Sequence, residues 1–260
     1  MERDFRYMII ERSRMVDFKE STHEYTKGTE TATMSVTGFV SSVFPVFDAK
    51  KMSQQCTKSR KYAGKSAEDI ELEWETNGKE AARLGTMMHQ AIEIGINTGY
   101  WDEEFPEMEA AKTVYGSIIV EKNVTQYFCE AMIYNNSPFL PGTVDILYKH
   151  PTRDEFYIGD WKRTDKVEKR GYGKGCIGPF VDIEDNSLNR YSLQLHIYRY
   201  ILIKCYGFNV PSSNLFIVAF SPGTCAYKII NAVDMYDNVV WMFDNFNVCL
   251  ENFKKNKNIN

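Results

Sequence analysis

The stretch from Pro141 to Thr164, PGTVDILYKHPTRDEFYIGDWKRT, sets Asp145 near the start of one apolar run and Asp160 with Lys162 at the end of the next. In an extended chain successive side chains alternate between faces, so Asp145 should share a face with Thr143 and Leu147, and Asp160 with Ile158 and Lys162. The turn residues His150, Pro151 and Thr152 fit a connection between two adjacent antiparallel strands. Both carboxylates and the ammonium can then converge. Two carboxylates in a partly buried site repel and raise each other's pKa unless a cation lies between them, and a divalent metal is the simplest such cation. Taken alone, the pattern also fits a solvated sheet face carrying a cross-strand charge pair.

Groups so placed need a sheet beneath them and helices to cover it. The 260 residues, 43% hydrophobic and 14% aromatic, can fill one large core. The runs FCEAMIYN, GTVDILYK, EFYIGDWK, LFIVAF and CAYKII are rich in β-formers and divided by turn residues. Upstream, a hairpin is expected to turn at Lys27-Gly28, with Ser35 or Thr37 capping a helix that bears Phe39, Val40, Val43 and Phe44. Ala81, Leu84, Met88, Ile92 and Ile96 predict a helix from about Asn77 to Ile96, weakened at Gly95 and carrying His89. Further helices are expected over 109–121, around Leu193, Ile197 and Ile201 between the third and fourth of those strands, and over 234–252. Together these predict an α/β fold, a mixed central sheet flanked by helices with an N-terminal helical region. We expect one domain over 1–252, with a hairpin and helical region at 1–75 and a core at 76–252, then a polar tail at 253–260.

A net charge of −4 and a pI near 5.7 exclude a generic polyanion binder, so any contact with nucleic acid must come from local clusters. Two exist. Residues 50–65 hold six basic and no acidic side chains, among them Lys58, Arg60 and Lys61. Residues 162–175 hold six basic side chains against Asp165 and Glu168, and include Arg163, Lys166, Lys169, Arg170 and Tyr172. That second stretch reads as a mobile loop whose cations could grip phosphates while Tyr172 stacks on a base. The six scattered cysteines form no CxxC or His/Cys group and read as reduced thiols. With no apolar stretch near ~20 residues and no signal-peptide core, a soluble intracellular protein with no membrane partner is expected.

The Asp145 and Asp160-Trp161-Lys162 pattern resembles the signature of the PD-(D/E)XK nuclease superfamily, and GTVDILY…FYIGDWKRT resembles its RecB-like exonuclease branch. GTMMHQAIE is similar to the G…H helix that precedes the core there, CEAMIYN to a strand with an acidic residue, and QLHIY to the QxxxY helix that follows. Order and spacing match from about residue 74 to 205. SVT at 35–37 also resembles the opening of the group that holds the mitochondrial genome maintenance exonuclease and related phage and viral nucleases.

The resemblance implies a restriction-endonuclease-like core and a magnesium- or manganese-dependent nuclease, acting as an exonuclease on single-stranded DNA. It implies metal ligation by His89, Glu130, Asp145, Asp160 and the backbone carbonyl of Trp161. Lys162 would act on the attacking water and the phosphate, and Gln194 and Tyr198 would hold the core geometry and a substrate phosphate. Lys58, Arg60, Lys61 and the cations of the later loop would guide the strand. Oxygen donors suit magnesium or manganese, and one imidazole shifts the preference toward manganese. Two other readings remain open on sequence: a cap-snatching-type RNA endonuclease, and a catalytically inactive nucleic-acid-binding module.

Overall fold

The computed structural model describes residues 4–19, 22, 24–171 and 173–257. Helix α1 (Phe5–Ser13) leads into a small antiparallel sheet of β1 (Asp17–Lys19), β2 (Glu24–Lys27) and β3 (Glu30–Thr31). The β2–β3 turn falls at Gly28, where φ is 60°, a left-handed conformation that glycine adopts without strain. The Ser35 hydroxyl accepts from Gly38 N and caps α2 (Val36–Ser41). Helix α3 (Ala49–Cys56) follows, and then α4 (Ala67–Thr98), which begins well before the expected Asn77. Ser66 and Asp69 form a reciprocal capping box there, so the polar start of the helix is fixed by its cap and not by apolar periodicity. Gly95 is needed: a β-carbon at that position would lie 2.5 Å from the Trp101 ring.

After α5 (Glu107–Tyr115) the chain makes one wider helical turn and enters the main sheet. Its strands are β4 (Tyr127–Asn136), β5 (Phe139–Lys149), β6 (Phe156–Arg163), β7 (Leu215–Phe220) and β8 (Tyr227–Asn231), hydrogen-bonded in that order. Helix α6 (Ser187–Ile201) crosses between β6 and β7, which makes that pair parallel, while the other pairs are antiparallel. The fold is therefore α/β with a mixed central sheet, as expected. The closing helix is two, α7 (Tyr236–Asp244) and α8 (Phe246–Lys257), because Asn245 turns its own side chain back onto the Trp241 carbonyl. Helix α8 runs into the segment expected to be a polar tail. Phe253 explains this, since its ring packs on the core and crowds Gly38.

Apolar side chains fill both sides of the sheet. Residues of α1, α2, α6, α7 and α8 pack with Ala131, Ile133, Val144, Leu147 and Ile158 on one side. Residues of α4 and α5 pack with Cys129, Ile146, Tyr148 and Trp161 on the other. Among the described residues, no helix is long and apolar enough to cross a membrane.

His196 of α6 is fully buried, and among the described residues neither ring nitrogen makes a well-formed hydrogen bond. Burial pushes its pKa down to about 4, although Asp234 lies 3.7 Å away. In the unfolded chain the imidazole titrates near 6.5, so between these values the unfolded state binds more protons and stability falls as pH falls. Urea unfolding should show a loss of roughly 3 kcal/mol from this group between pH 7 and 4. His196→Leu should flatten that slope. Identical pH slopes in both proteins would remove His196 as the cause.

Candidate metal centre

The inside-outside alternation of β4 and β5 slips by one residue where the site forms. Cys129 packs on the α4 side but Ala131 on the α6 side, and Val144 packs on the α6 side but Ile146 on the α4 side. The residues between them, Glu130 and Asp145, face each other across the pair without joining its ladder. Glu130 takes a φ of 50°, which a non-glycine residue rarely adopts and which marks local strain. The alternation that would set Asp145 on the face of Leu147 is thus broken at this point.

A second irregularity adjoins the first. The β5–β6 ladder runs from Lys149↔Phe156 to Ile146↔Gly159 and stops there, while β6 continues alongside β7 to Arg163. Beyond the fork, Trp161 N donates to the Asp145 carboxylate (Oδ2, 2.6 Å) in place of a strand carbonyl. Gly159 permits the close pairing beside the fork, because a β-carbon there would lie 2.5 Å from Phe216 and 2.6 Å from Ile146.

Helix α4 brings His89 to the fork. Its Nδ1 lies 3.5 Å from Glu130 Oε1 and 3.6 Å from Asp145 Oδ1. One donor atom from each of His89, Glu130 and Asp145 falls within 4.8 Å of the others, so this cluster could hold a metal ion. His89 Nε2 donates to the Trp161 carbonyl at 2.9 Å, which turns Nδ1 toward the carboxylates. The carbonyl expected as a ligand is thus engaged as the acceptor that orients the imidazole.

Electrostatics agree with a cation site. Burial alone would lower the His89 pKa, but the Asp145 and Glu130 carboxylates overcome it and hold the imidazole up at about 9. At neutral pH the carboxylates thus keep a proton where a metal ion would otherwise supply the positive charge. Burial also pushes the Asp145 and Asp160 carboxyls above the ordinary range, opposed by the neighbouring His89 and Lys162 cations.

Asp160 is not one of the three donors that lie within 4.8 Å of one another, although it is near enough to feel the Asp145 and His89 charges. Lys162 Nζ lies 2.7 Å from both of its carboxylate oxygens, and the Asp160 and Asp145 charges keep the ammonium protonated despite burial. Gln194 Nε2 donates to Tyr198 Oη at 3.1 Å and reaches Asp160 Oδ1 at 3.4 Å. Tyr198 is a buried residue whose ring closes over Gly142, where a β-carbon would lie only 2.7 Å from it.

The basic candidates divide. Lys58, Arg60 and Lys61 are exposed, yet the first turns of α4 set acidic groups beside their segment: Lys65 pairs with Glu73, and Ser53 donates to Glu71 at 2.6 Å. Lys166, Lys169 and Arg170 are exposed as well. Their loop is fastened by buried Val167, by the Ser221 hydroxyl donating to Asp165 at 2.5 Å, and by the Lys228–Glu168 pair at 3.2 Å. Asp185 N donates to Gly173 O at 2.7 Å and pins its far end. Arg163 is not on that surface, because its guanidinium lies 2.7 Å from the buried Glu107 carboxylate. Tyr172 lies outside the described residues.

Glu107 was hidden in the sequence within the acidic stretch WDEEFPEMEA, although its place just after Pro106 at a helix start was a readable signal. It also accepts from Gly223 N at 2.7 Å, joining α5 to the β7–β8 turn.

No protein-family profile matches the chain, and no curated protein matches it. Two solved structures are distantly similar. One is SSO0001, at 12% identity over 93% of this chain and 82% of that chain, with a TM-score of 0.35. The other, from Eubacterium rectale and provisionally named an exonuclease, is 13% identical over 81% of this chain and 70% of that chain, with a TM-score of 0.38. At these scores the likeness carries no argument, and what the site can do rests on its own geometry.

Proposed function

We propose that the chain is a metal-dependent nuclease of the PD-(D/E)XK kind that hydrolyses phosphodiester bonds in single-stranded DNA from a free end. One observation carries the reading: an imidazole and two carboxylates within 4.8 Å of one another at a fork between strands, with the Lys162 ammonium nearby. His89, Glu130 and Asp145 would hold magnesium or manganese, and such an ion, when bound, supplies Lewis acidity toward a phosphate oxygen and a more acidic water.

The chain's own residues do the rest. Trp161 holds both ends of the cluster, its N–H on Asp145 and its carbonyl on His89. Asp160 keeps Lys162 charged, and the ammonium opposes the charge that grows on the phosphate as the bond breaks. Gln194 and Tyr198 brace Asp160 from α6. Lys58, Arg60 and Lys61, with Lys166, Lys169 and Arg170, offer exposed cations to a passing backbone, whereas Arg163 serves the fold.

The substrate assignment is tested by topology. With manganese present, end-labelled linear single strands should be degraded while closed circular single strands of the same sequence survive. Efficient cutting of circles would make the protein an endonuclease, and cleavage confined to RNA would transfer it to the RNA-cutting reading.

A further inference from the structure

Lys162 has a second neighbour that the proposed chemistry leaves unexplained. Its Nζ sits 5.0 Å from the centroid of the Tyr191 ring, in addition to its contacts with Asp160. Tyr191 lies on α6 one turn before Gln194 and two turns before Tyr198, so these three residues line one face of the helix. That face closes over the Lys162–Asp160 pair from the side away from α4. The Tyr191 ring is half-buried, and burial, outweighing the nearby ammonium, raises its phenol above the usual range, so at neutral pH the ring carries no charge of its own.

Asp160 alone cannot fix the ammonium. The lysine stem has four rotatable carbons, and a carboxylate two residues away on the same strand face attracts Nζ without limiting where it goes when a phosphate competes for it. The Asp145 charge adds to the attraction without making it directional. An aromatic face attracts the cation weakly and leaves it whole.

We propose that Tyr191 is a positioning residue for Lys162, its ring face confining the ammonium between Asp160 and the place where a phosphate would enter. This inference rests on the proposed nuclease reading for its effect on turnover, but not for the contact itself. The ring face is the working part, and the hydroxyl is dispensable.

The test compares Tyr191→Leu and Tyr191→Phe in the full chain, each first checked by thermal melting. Hydrolysis of linear single-stranded DNA is followed with manganese. Tyr191→Leu should lower kcat by about 10-fold, the size of a partly desolvated cation–π contact, with KM and calorimetric manganese affinity unchanged. Tyr191→Phe should restore most of that loss, since it keeps the ring. Equal loss in both variants would place the effect on the hydroxyl and overturn the proposal, as would a Tyr191→Leu protein with wild-type kcat or with weakened metal binding.

A readout independent of activity separates this inference from the nuclease reading. In the NMR spectrum the ring should shift the Lys162 side-chain ε protons upfield in wild type and Tyr191→Phe but not in Tyr191→Leu. Retention of that shift in Tyr191→Leu, or its absence from wild type, contradicts the contact whether or not the protein cuts DNA.

Discussion

Asp145→Asn should lose cleavage by on the order of 1000-fold while the protein stays folded. Asp145 is the hub of the site, with one oxygen 3.6 Å from His89 Nδ1 and the other accepting from Trp161 N at 2.6 Å. Asparagine keeps the shape and can still accept the Trp161 hydrogen bond, so the fork should survive. The negative charge is lost, and with it the attraction for a divalent ion. Because burial already penalises this carboxylate, its neutral replacement should melt at the same temperature as wild type or higher. Calorimetry should show weakened manganese binding, and DNA binding should persist. A variant that cuts at the wild-type rate removes Asp145 from the mechanism, and one that unfolds makes it a structural residue.

Lys162→Met should lower turnover by about 100-fold, the scale of a group that acts directly on the reacting atoms. Methionine fills much of the lysine stem's volume, so the loss reports the ammonium. The variant leaves Asp160 buried without its cation, and that carboxyl should take up a proton instead of staying charged. Manganese affinity should change little, because the His89, Glu130 and Asp145 donors remain in place. If metal binding is lost instead and excess manganese restores turnover, Lys162 belongs to the metal site and not to the chemistry.

The sheet and most helices were legible because their residues repeat at fixed periods and their ends carry caps. Ser35 and Gly28 behave as their types predict. The start of α4 was missed because residues 67–76 are mostly polar and a capping box, not an apolar stripe, begins the helix. The nearness of Asp145, Asp160 and Lys162 could be inferred from strand pairing, but how they divide could not. Strict alternation would put Asp145 on the face of Leu147. The slip at Glu130 and Asp145 arises from a strained backbone that no residue type announces, and it turns Asp145 toward His89 while Asp160 turns to Lys162. Arg163 shows the same limit from the other side. In the sequence it belongs to a basic run, but a buried Glu107 more than fifty positions earlier claims it. Long-range pairing of that kind leaves no local pattern.

The central claim is that this cluster hydrolyses phosphodiester bonds with a divalent ion. The most direct measurement is release of nucleotides from linear single-stranded DNA by the metal-stripped protein, alone, with manganese or magnesium, and with excess chelator. Release should be absent without metal, appear on adding manganese or magnesium, and stop with chelator. Equal release under chelation, or none in either metal from a folded protein that binds DNA, would contradict the account.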